Sequence, residues 1–166
     1  FMNKNNPIIF IADFFAYQVP GGGELNNKNL IELLEKSGHK VNRINSNGAT
    51  PGFIREHRHS KFIVGNFVGL PEASRSALAA AHYIIYEHDH KYLKSRNPAD
   101  FENFQAPPEE IINRDFYKNA KMVICQSLFH EEIVRKNLRL DNITNVGGNL
   151  WSEEILDFLA TLAATP

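Results

Sequence analysis

The sequence contains a single cysteine, Cys125, which excludes an internal disulfide and a zinc site built from cysteines. It has no apolar run long enough to span a membrane, and we expect no signal peptide. The formal net charge is only -1, so neither a nucleic-acid-binding nor a membrane-binding surface is indicated. We therefore expect a cytoplasmic protein with no nucleic-acid partner and no membrane span.

Two common phosphate-binding fingerprints are also missing. No G-x-x-x-x-G-K-[ST] segment occurs, which argues against a P-loop. A G-x-G-x-x-G pattern placed on Gly21 and Gly23 would need a third glycine where Asn26 stands. The second predicted strand ends in Asn45-Ser46, without a carboxylate for a ribose hydroxyl. NAD binding is therefore not expected, and we predict no cofactor.

The sequence does contain enough apolar residues for one folded domain. It has 166 residues, of which 43% are hydrophobic and 22% charged, as in ordinary globular proteins. Apolar runs alternate with amphipathic segments, a pattern that predicts parallel β-α-β units with helices on both faces of the sheet. We predict an α/β, doubly wound, Rossmann-like three-layer α/β/α domain over residues 1–151, with a mostly parallel sheet of about six strands. Residues 152–166 are predicted to form a C-terminal helix leading to a second domain that is missing from the chain.

The element boundaries follow from turn and capping residues. The predicted strands are Ile8–Ile11, Lys40–Ser46, Lys61–Asn66, His82–Glu87, Lys121–Gln126 and Asn142–Val146. The first predicted helix follows the three glycines and ends at Gly38. The next helices are Ile54–Ser60, Glu72–Ala81, Leu128–Leu138 and Glu153–Ala163, and helical structure is also predicted from Pro108 to Lys118. Between them lies a long irregular segment, Lys91–Pro108, of a length that usually indicates a functional or mobile loop.

The stretch Pro7–Ser37 combines a buried strand, a turn of three glycines and an amphipathic helix. The unpaired amides and the positive dipole at the start of such a helix favour an anion. A phosphate-bearing ligand above Gly21, Gly22 and Gly23 is therefore our first hypothesis, with a tight turn that binds nothing as the alternative. Glu24 favours the helix dipole, and its charge suits hydrogen bonds to hydroxyl groups better than contact with a bare anion.

The fourth predicted strand opens onto His88-Asp89-His90. Ligands of doubly wound folds bind at the carboxyl ends of the strands, so we expect this segment and the glycine turn to flank the topological switch point. His88 and His90, like His57 and His59, could chelate a metal because alternate residues of an extended segment share a face. No third ligand stands at a recognisable spacing, and we predict no metal.

Four segments, in this order along the chain, resemble the N-terminal domain of GT-B glycosyltransferases. They are VPGGGE after the first strand, SGHKV at the end of the first helix, YEHDH after the fourth strand and QS before the following helix. The match spans roughly Ile8–Trp151 and is best to the retaining class that includes sucrose and mannosyl transferases. The resemblance implies that Gly21–Gly23 lie near the donor diphosphate or the transferred sugar. It also implies that His88-Asp89 faces the reacting sugar and that Ser127 belongs to the site.

The resemblance further implies a nucleotide-sugar donor and an acceptor of unknown identity. In this family the N-terminal domain mainly binds the acceptor, and a C-terminal domain, absent here, holds the nucleotide. We therefore expect the chain alone to be inactive. Lys91, Tyr92, Lys94 and Arg96 give the long loop a basic and aromatic character that suits a phosphate or a sugar ring, with a solvated loop as the alternative. If the last helix does not pack on its own domain, its apolar face should favour a homodimer.

Two other functions remain open at this point. A non-catalytic Rossmann-like module would bind a nucleotide or sugar phosphate by itself, without a second domain. A response-regulator-like signalling domain would need an acidic cluster after the first strand, where the sequence offers only Asp13.

Overall fold

The computed structural model describes residues 6–164 and contains six strands and six α-helices in that range. The strands are β1 (Ile8–Ala12), β2 (Val41–Asn45), β3 (Lys61–Val64), β4 (His82–Tyr86), β5 (Val123–Cys125) and β6 (Ile143–Asn145). The helices are α1 (Gly22–Lys36), α2 (Pro51–Glu56), α3 (Glu72–Leu78), α4 (Arg114–Asn119), α5 (Leu128–Leu138) and α6 (Glu153–Ala163). The strands form one parallel sheet in the order β2-β1-β3-β4-β5-β6, which confirms the predicted Rossmann-like three-layer fold.

The direction of the connections explains how the helices divide between the two faces. From β3 to β6 the chain moves across the sheet in one direction, so right-handed crossovers place α3, α4 and α5 on a single face. The core on that face joins Leu78 of α3, Phe116 of α4 and Val134 of α5. The step from β1 to β2 runs the other way, so α1 lies on the opposite face, where Ile31 packs with Phe10.

Strand alternation assigns the residues that follow β4 to different faces. Tyr83 and Ile85 belong to the core under α3, α4 and α5, whereas Tyr86 belongs to the core under α1. Successive side chains of a strand point to opposite faces. Continuing the alternation places Glu87 on the α4 face and His88 on the α1 face.

The topological switch point of the sheet does not lie where the sequence predicts it. The chain leaves β1 for β2 on one side and returns to β3 on the other, so β1 and β3 flank the switch point. The prediction that the ends of the first and fourth strands flank it is wrong, because β4 is one strand further away. The two segments are nevertheless close together, since a Cβ atom on Gly23 would lie 3.7 Å from His88 Cγ.

The three glycines do not form the predicted turn. Gly21 is the extended N-cap of α1, with φ -89° and ψ 165°, and Gly22 and Gly23 are already helical. The helix therefore begins earlier than a glycine-rich stretch suggests. A Cβ atom at position 21 would meet only the carboxylate of Glu24, the movable end of a flexible side chain, and the backbone there is extended, so neither space nor conformation requires glycine at 21.

Other helix boundaries also differ from the prediction. The short helix placed over Ile54–Ser60 is instead α2, which begins at Pro51, because the Thr50 side chain accepts a hydrogen bond from Phe53 N at 3.2 Å. Helix α3 ends at Leu78 and not at Ala81. The predicted helical structure from Pro108 is interrupted, since Asn113 takes a left-handed conformation between a 3-10 turn and α4.

The segment predicted as a long irregular loop is ordered. Within it lie the 3-10 turns Pro98–Asp100 and Glu102–Phe104, and Leu93 forms an isolated antiparallel bridge with Ile111. Tyr92 and Leu93 are fully buried. The segment is therefore anchored to the core close to the point where it leaves β4.

Helix α6 begins where the sequence predicts it, with the Ser152 side chain accepting from Ile155 N at 3.4 Å. Every residue of α6 is exposed, including the apolar side chains Ile155, Leu156, Phe158, Leu159 and Leu162. No helix within residues 6–164 is both long enough and apolar enough to cross a membrane.

The C-terminus of α1 gives a test of the local backbone. Gly38 has φ +86°, and the hydrogen bonds from Gly38 N to Glu35 O and from His39 N to Leu34 O close a Schellman motif. Gly38→Ala should lower the free energy of unfolding by about 1 to 2 kcal/mol, because an L side chain is strained in this conformation. Gly22→Ala is the control, since the space beside Gly22 is open. If chemical denaturation showed the same loss of unfolding free energy for Gly38→Ala and Gly22→Ala, the left-handed conformation assigned to Gly38 would be contradicted.

Candidate functional site

A cleft of about 560 Å³, the main cleft, opens at the carboxyl edge of β1 to β4. Each of these strands or the loop that follows it contributes polar side chains to the cleft. They include Glu24, Asn45, Asn66, Asp89, Lys91 and Arg96. Parallel strands bring residues that are distant in the chain to one edge of the sheet, where doubly wound folds bind ligands.

The structure brings some of the predicted site residues together and leaves others apart. Glu24, Asp89, Lys91 and Arg96 line the main cleft. The remaining predicted residues lie outside its lining: Gly21, Gly22, Gly23, His88 and Ser127. Ser127 caps α5, its hydroxyl accepting from His130 N at 3.2 Å.

The Glu24 carboxylate lies over the start of its own helix. Its Oε1 accepts from Asn66 Nδ2 at 3.2 Å, and its Oε2 lies beside Gly21. A carboxylate is favourable at the positive end of a helix. Because this position already holds a negative charge, the start of α1 suits a hydroxyl group better than a bare phosphate.

A buried carboxylate, Glu87, organises the end of β4. Glu87 is fully buried, its Oε2 accepts from the Tyr117 hydroxyl, and its Oε1 accepts from Asp89 N at 3.0 Å. Burial alone would raise the pKa of Glu87, but the Lys91 ammonium and the Tyr117 hydroxyl hold it below the ordinary value. The carboxylate is therefore ionised, and its hydrogen bond to Asp89 N fixes the backbone that presents Asp89.

Asp89 has a cation on each of its two carboxylate oxygens. Lys91 Nζ contacts Oδ1, and Arg96 Nη1 donates to Oδ2 at 3.3 Å. The Lys91 side chain is only 3% exposed, whereas that of Asp89 is 44% exposed and faces the cleft. Asp89 is therefore an oriented acceptor at the floor of the main cleft.

His88 is held between two side-chain amides on the α1 face. Its Nε2 donates to Asn27 Oδ1 and its Nδ1 accepts from Gln126 Nε2, both at 2.8 Å. A ring with one donating and one accepting nitrogen is neutral. Taking up a proton would break the hydrogen bond to Gln126, so the geometry favours a positioning role for His88 over that of a general base.

The electrostatics of His88 agree with this hydrogen-bond pattern. Burial is the main reason why the pKa of His88 is lowered to about 4, and the Lys91 ammonium contributes in the same direction. The carboxylates of Glu87 and Asp89 act in the opposite direction without restoring the ordinary value. Burial likewise lowers the pKa of His90 to about 4, with the neighbouring His130 adding to the effect.

Asp13 follows β1 and ties three chain segments together. Its carboxylate accepts from the Ser46 hydroxyl, from Val68 N at 2.8 Å and from Gly69 N at 2.8 Å. The hydrogen bonds join the ends of β1, β2 and β3 into one wall of the cleft. These hydrogen bonds give the Asp13 carboxylate a structural role at the edge of the main cleft.

Sequence reasoning missed several side chains of the site. Asn66, Asn45 and Gln18 line the cleft beside Glu24, and Phe14 lies there with its ring 51% exposed. The sequence signal that could have identified the three polar residues is their position, since each stands at or soon after the end of a strand. Neither periodicity nor a motif identifies Phe14, because an exposed aromatic after β1 depends on how the loop folds back.

The H-x-H pairs do not assemble into a metal centre in the structure. Among residues 6–164, no group of three or more histidine, cysteine, aspartate or glutamate side chains is arranged to hold a metal ion. The His90 ring instead contacts the His130 ring, with centroids 4.6 Å apart, and its Nδ1 lies 2.9 Å from the Tyr92 hydroxyl.

Gly65 gives a test of the support for His88. A Cβ atom on Gly65 would lie 2.7 Å from Asn27 Oδ1, and the Asn27 side chain is fully buried. Gly65→Ala should therefore displace Asn27 and lower the free energy of unfolding by about 1 to 3 kcal/mol. Ring-nitrogen NMR shifts of His88 should change with it.

Gly23→Ala is the matched control for this substitution. A methyl group there would make ordinary contacts of 3.7 Å with His88 and Asn66. The control should keep the His88 signals and wild-type stability within about 1 kcal/mol. Identical spectra for the Gly65 variant and the wild type would exclude the proposed support.

The pH dependence of stability tests the neutral histidines. Between pH 6.5 and about 4 the unfolded chain binds protons at His88 and His90 that the folded protein does not. The free energy of unfolding should therefore fall as the pH is lowered through this window, by up to about 1.4 kcal/mol per pH unit for each group. Denaturant titrations should show a shallower slope for His88→Gln, and an unchanged slope would be inconsistent with a neutral His88.

Comparison with known proteins adds no assignment to this geometry. No family model, curated protein or solved structure matches the chain. The function must therefore be inferred from the side chains of the main cleft and their chemistry.

Proposed function

We propose that the chain is the acceptor-side, N-terminal domain of a GT-B glycosyltransferase, which transfers a sugar from a nucleotide-sugar donor to an acceptor. The observation that carries the proposal is the main cleft at the carboxyl edge of β1 to β4. Its lining combines carboxylates, side-chain amides, two cations and one exposed aromatic ring. The order of the glycine and His-Asp motifs along the chain supports the same assignment.

The cleft matches the hydrogen-bonding needs of a sugar. Sugar hydroxyls both donate and accept, and Asp89 and Glu24 provide acceptors while Asn66 and Asn45 provide both functions. The exposed ring of Phe14 offers an apolar face on which a sugar ring can pack. A pocket with a few convergent polar groups and an apolar wall is typical of small-molecule sites.

The two cations of the main cleft, Lys91 and Arg96, have the charge needed to stabilise the leaving group of the reaction. Glycosyl transfer from a nucleotide sugar builds negative charge on the leaving diphosphate, and fixed positive charge stabilises it. Lys91 and Arg96 lie at the cleft, but both are paired with Asp89. We therefore propose that a second domain supplies the nucleotide site and further positive charge, and that this chain alone is inactive.

Within the proposed enzyme, Asp89 contacts the substrate and His88 acts through its neighbours. His88 lies behind the cleft lining, between Asn27 and Gln126, and steadies the segment that carries Asp89. Gly21, Gly22, Gly23 and Ser127 would then shape the surroundings, and Glu24 would bind sugar hydroxyls.

The exposed apolar face of α6 supports the proposal that another protein body packs against this helix. A second domain would cover the face in the transferase, whereas a homodimer would cover it if the domain acts by itself. A cytoplasmic location, where nucleotide sugars are the expected donors, is part of the proposal.

A non-catalytic module that binds a nucleotide or sugar phosphate is the second candidate. The observation in its favour is that His88 has no free ring nitrogen for proton transfer, and that Asp89 is neutralised by two cations. Such a module would bind its ligand tightly without a second domain. Tight binding of a nucleotide sugar by this chain, with no transfer by the protein in its native length, would favour the module.

Asp89→Asn tests the proposed role in transfer. In the protein expressed with its native flanking sequence, this change should lower the turnover of sugar transfer about a hundredfold, because it removes an oriented charge from the reacting centre. Mass spectrometry of the glycosylated product over a panel of nucleotide sugars measures the rate. Asp141→Asn, an exposed residue just before β6, is the control and should retain wild-type turnover. Turnover of the Asp89 variant within twofold of wild type would reject the assignment.

A further inference from the structure

A second cleft of about 360 Å³ adjoins the main cleft. It lies between the loop after β3 and the segment after β4. Arg75, Lys91, Lys94 and Arg96 line it together with the apolar side chains of Phe67 and Leu93. Val68, Lys91 and Arg96 line both clefts, so one ligand can extend from one into the other.

The two clefts differ in charge. The main cleft combines three carboxylates, Asp13, Glu24 and Asp89, with two cations. The second cleft has four cations and no carboxylate among the described residues of its lining. The whole chain has a formal net charge of only -1, so this concentration of positive charge is a local feature. Clustered lysine and arginine side chains at one cavity are the arrangement that binds anions.

Two of these cations, Lys94 and Arg96, form only weak ion pairs with the protein. Lys94 Nζ lies 3.7 Å from Glu110 Oε1, and Arg96 Nη1 lies 3.3 Å from Asp89 Oδ2. Both cationic side chains are about half exposed, at 54% and 51%. Exposed ion pairs contribute little free energy, so both side chains can turn toward a ligand at small cost.

The other two cations are fixed. Lys91 is buried, with its ammonium against Asp89 and 5.5 Å from the centre of the Phe67 ring. Arg75 Nη1 donates to Leu70 O at 2.9 Å, which holds the guanidinium beside the loop after β3. The second cleft thus combines one fixed guanidinium, Arg75, with two adaptable cationic side chains, Lys94 and Arg96, whereas the Lys91 charge is already balanced by Asp89.

We propose that the second cleft binds a phosphate monoester group, and that the same ligand places a hydroxyl-rich part in the main cleft. Arg75, Lys94 and Arg96, which are not buried against a carboxylate as Lys91 is, together favour a dianion over a singly charged carboxylate. Assigning this ligand as the acceptor of sugar transfer rests on the proposed function, whereas the phosphate subsite itself does not. The subsite is separate from the start of α1, where Glu24 already places a negative charge.

The test is an amide NMR titration of the protein with inorganic phosphate, at low and constant ionic strength. Shifts should cluster in the loops of the second cleft, at residues 67–75, 91–96 and 112–113. Lys94→Gln should weaken binding about fivefold, because it removes one adaptable cation. Glu110→Gln should instead tighten binding about twofold, because it releases Lys94 from its carboxylate partner. Acetate should bind at least tenfold more weakly than phosphate.

Lys61→Gln is the matched control, since Lys61 is exposed at the amino end of β3, on the opposite edge of the sheet. It should leave phosphate affinity within twofold of wild type. The proposal is overturned if the control and Lys94→Gln have equal effects, or if the shifts centre on residues 21–24. It is also overturned if phosphate causes no saturable shift. Because inorganic phosphate is the probe, none of these outcomes depends on whether the protein transfers sugar.

Discussion

The structure depends on one buried charge, the carboxylate of Glu87 at the end of β4. A carboxylate with no exposure to water is costly unless every lone pair finds a donor or a cation. Here the Tyr117 hydroxyl, the amide of Asp89 and the nearby Lys91 ammonium satisfy it. The same set of contacts determines the path of the chain after β4. It draws the Lys91 side chain inward and leaves Asp89 at the floor of the main cleft.

The parallel sheet brings the segment fixed by Glu87 next to the ends of the other strands, and together they form the main cleft. Because all strands point the same way, the residue after each strand reaches the same edge, and Asp13, Asn66 and Asp89 meet there. Asp13 joins the loops after β2 and β3 to β1, so the wall opposite Asp89 is as fixed as the floor. The result is a cleft lined by uncharged amides, three carboxylates and two cations, bordered by a second cleft in which positive charge dominates. The two clefts share Lys91, and therefore the buried network of Glu87 supports both.

The fold could be predicted from the sequence because strand and helix periods are local properties. Continuous apolar runs such as Ile8–Ile11, separated by amphipathic helices, permit few topologies once right-handed crossovers are required. The candidate site was predictable only in part. Asp89, Lys91 and Arg96 are close in the chain, and Asn66 stands just after a strand, whereas Phe14 reaches the cleft through a loop conformation that no local pattern encodes. His88 shows the same limit, since its ring is fixed by Asn27 and Gln126, which are far from it in sequence.

Amide NMR mapping of sugar binding to this chain tests the proposed sugar site most directly. A panel of methyl glycosides and nucleotide sugars would be titrated, and the shifts plotted on the structure. A sugar site in the main cleft predicts saturable amide shifts confined to the loops after β1 to β4, with those of Asn66 and Asp89 among the largest. Shifts centred elsewhere, for example on the separate cleft lined by Tyr17, Leu25 and Arg43, would contradict it. So would the absence of binding by any sugar in the panel.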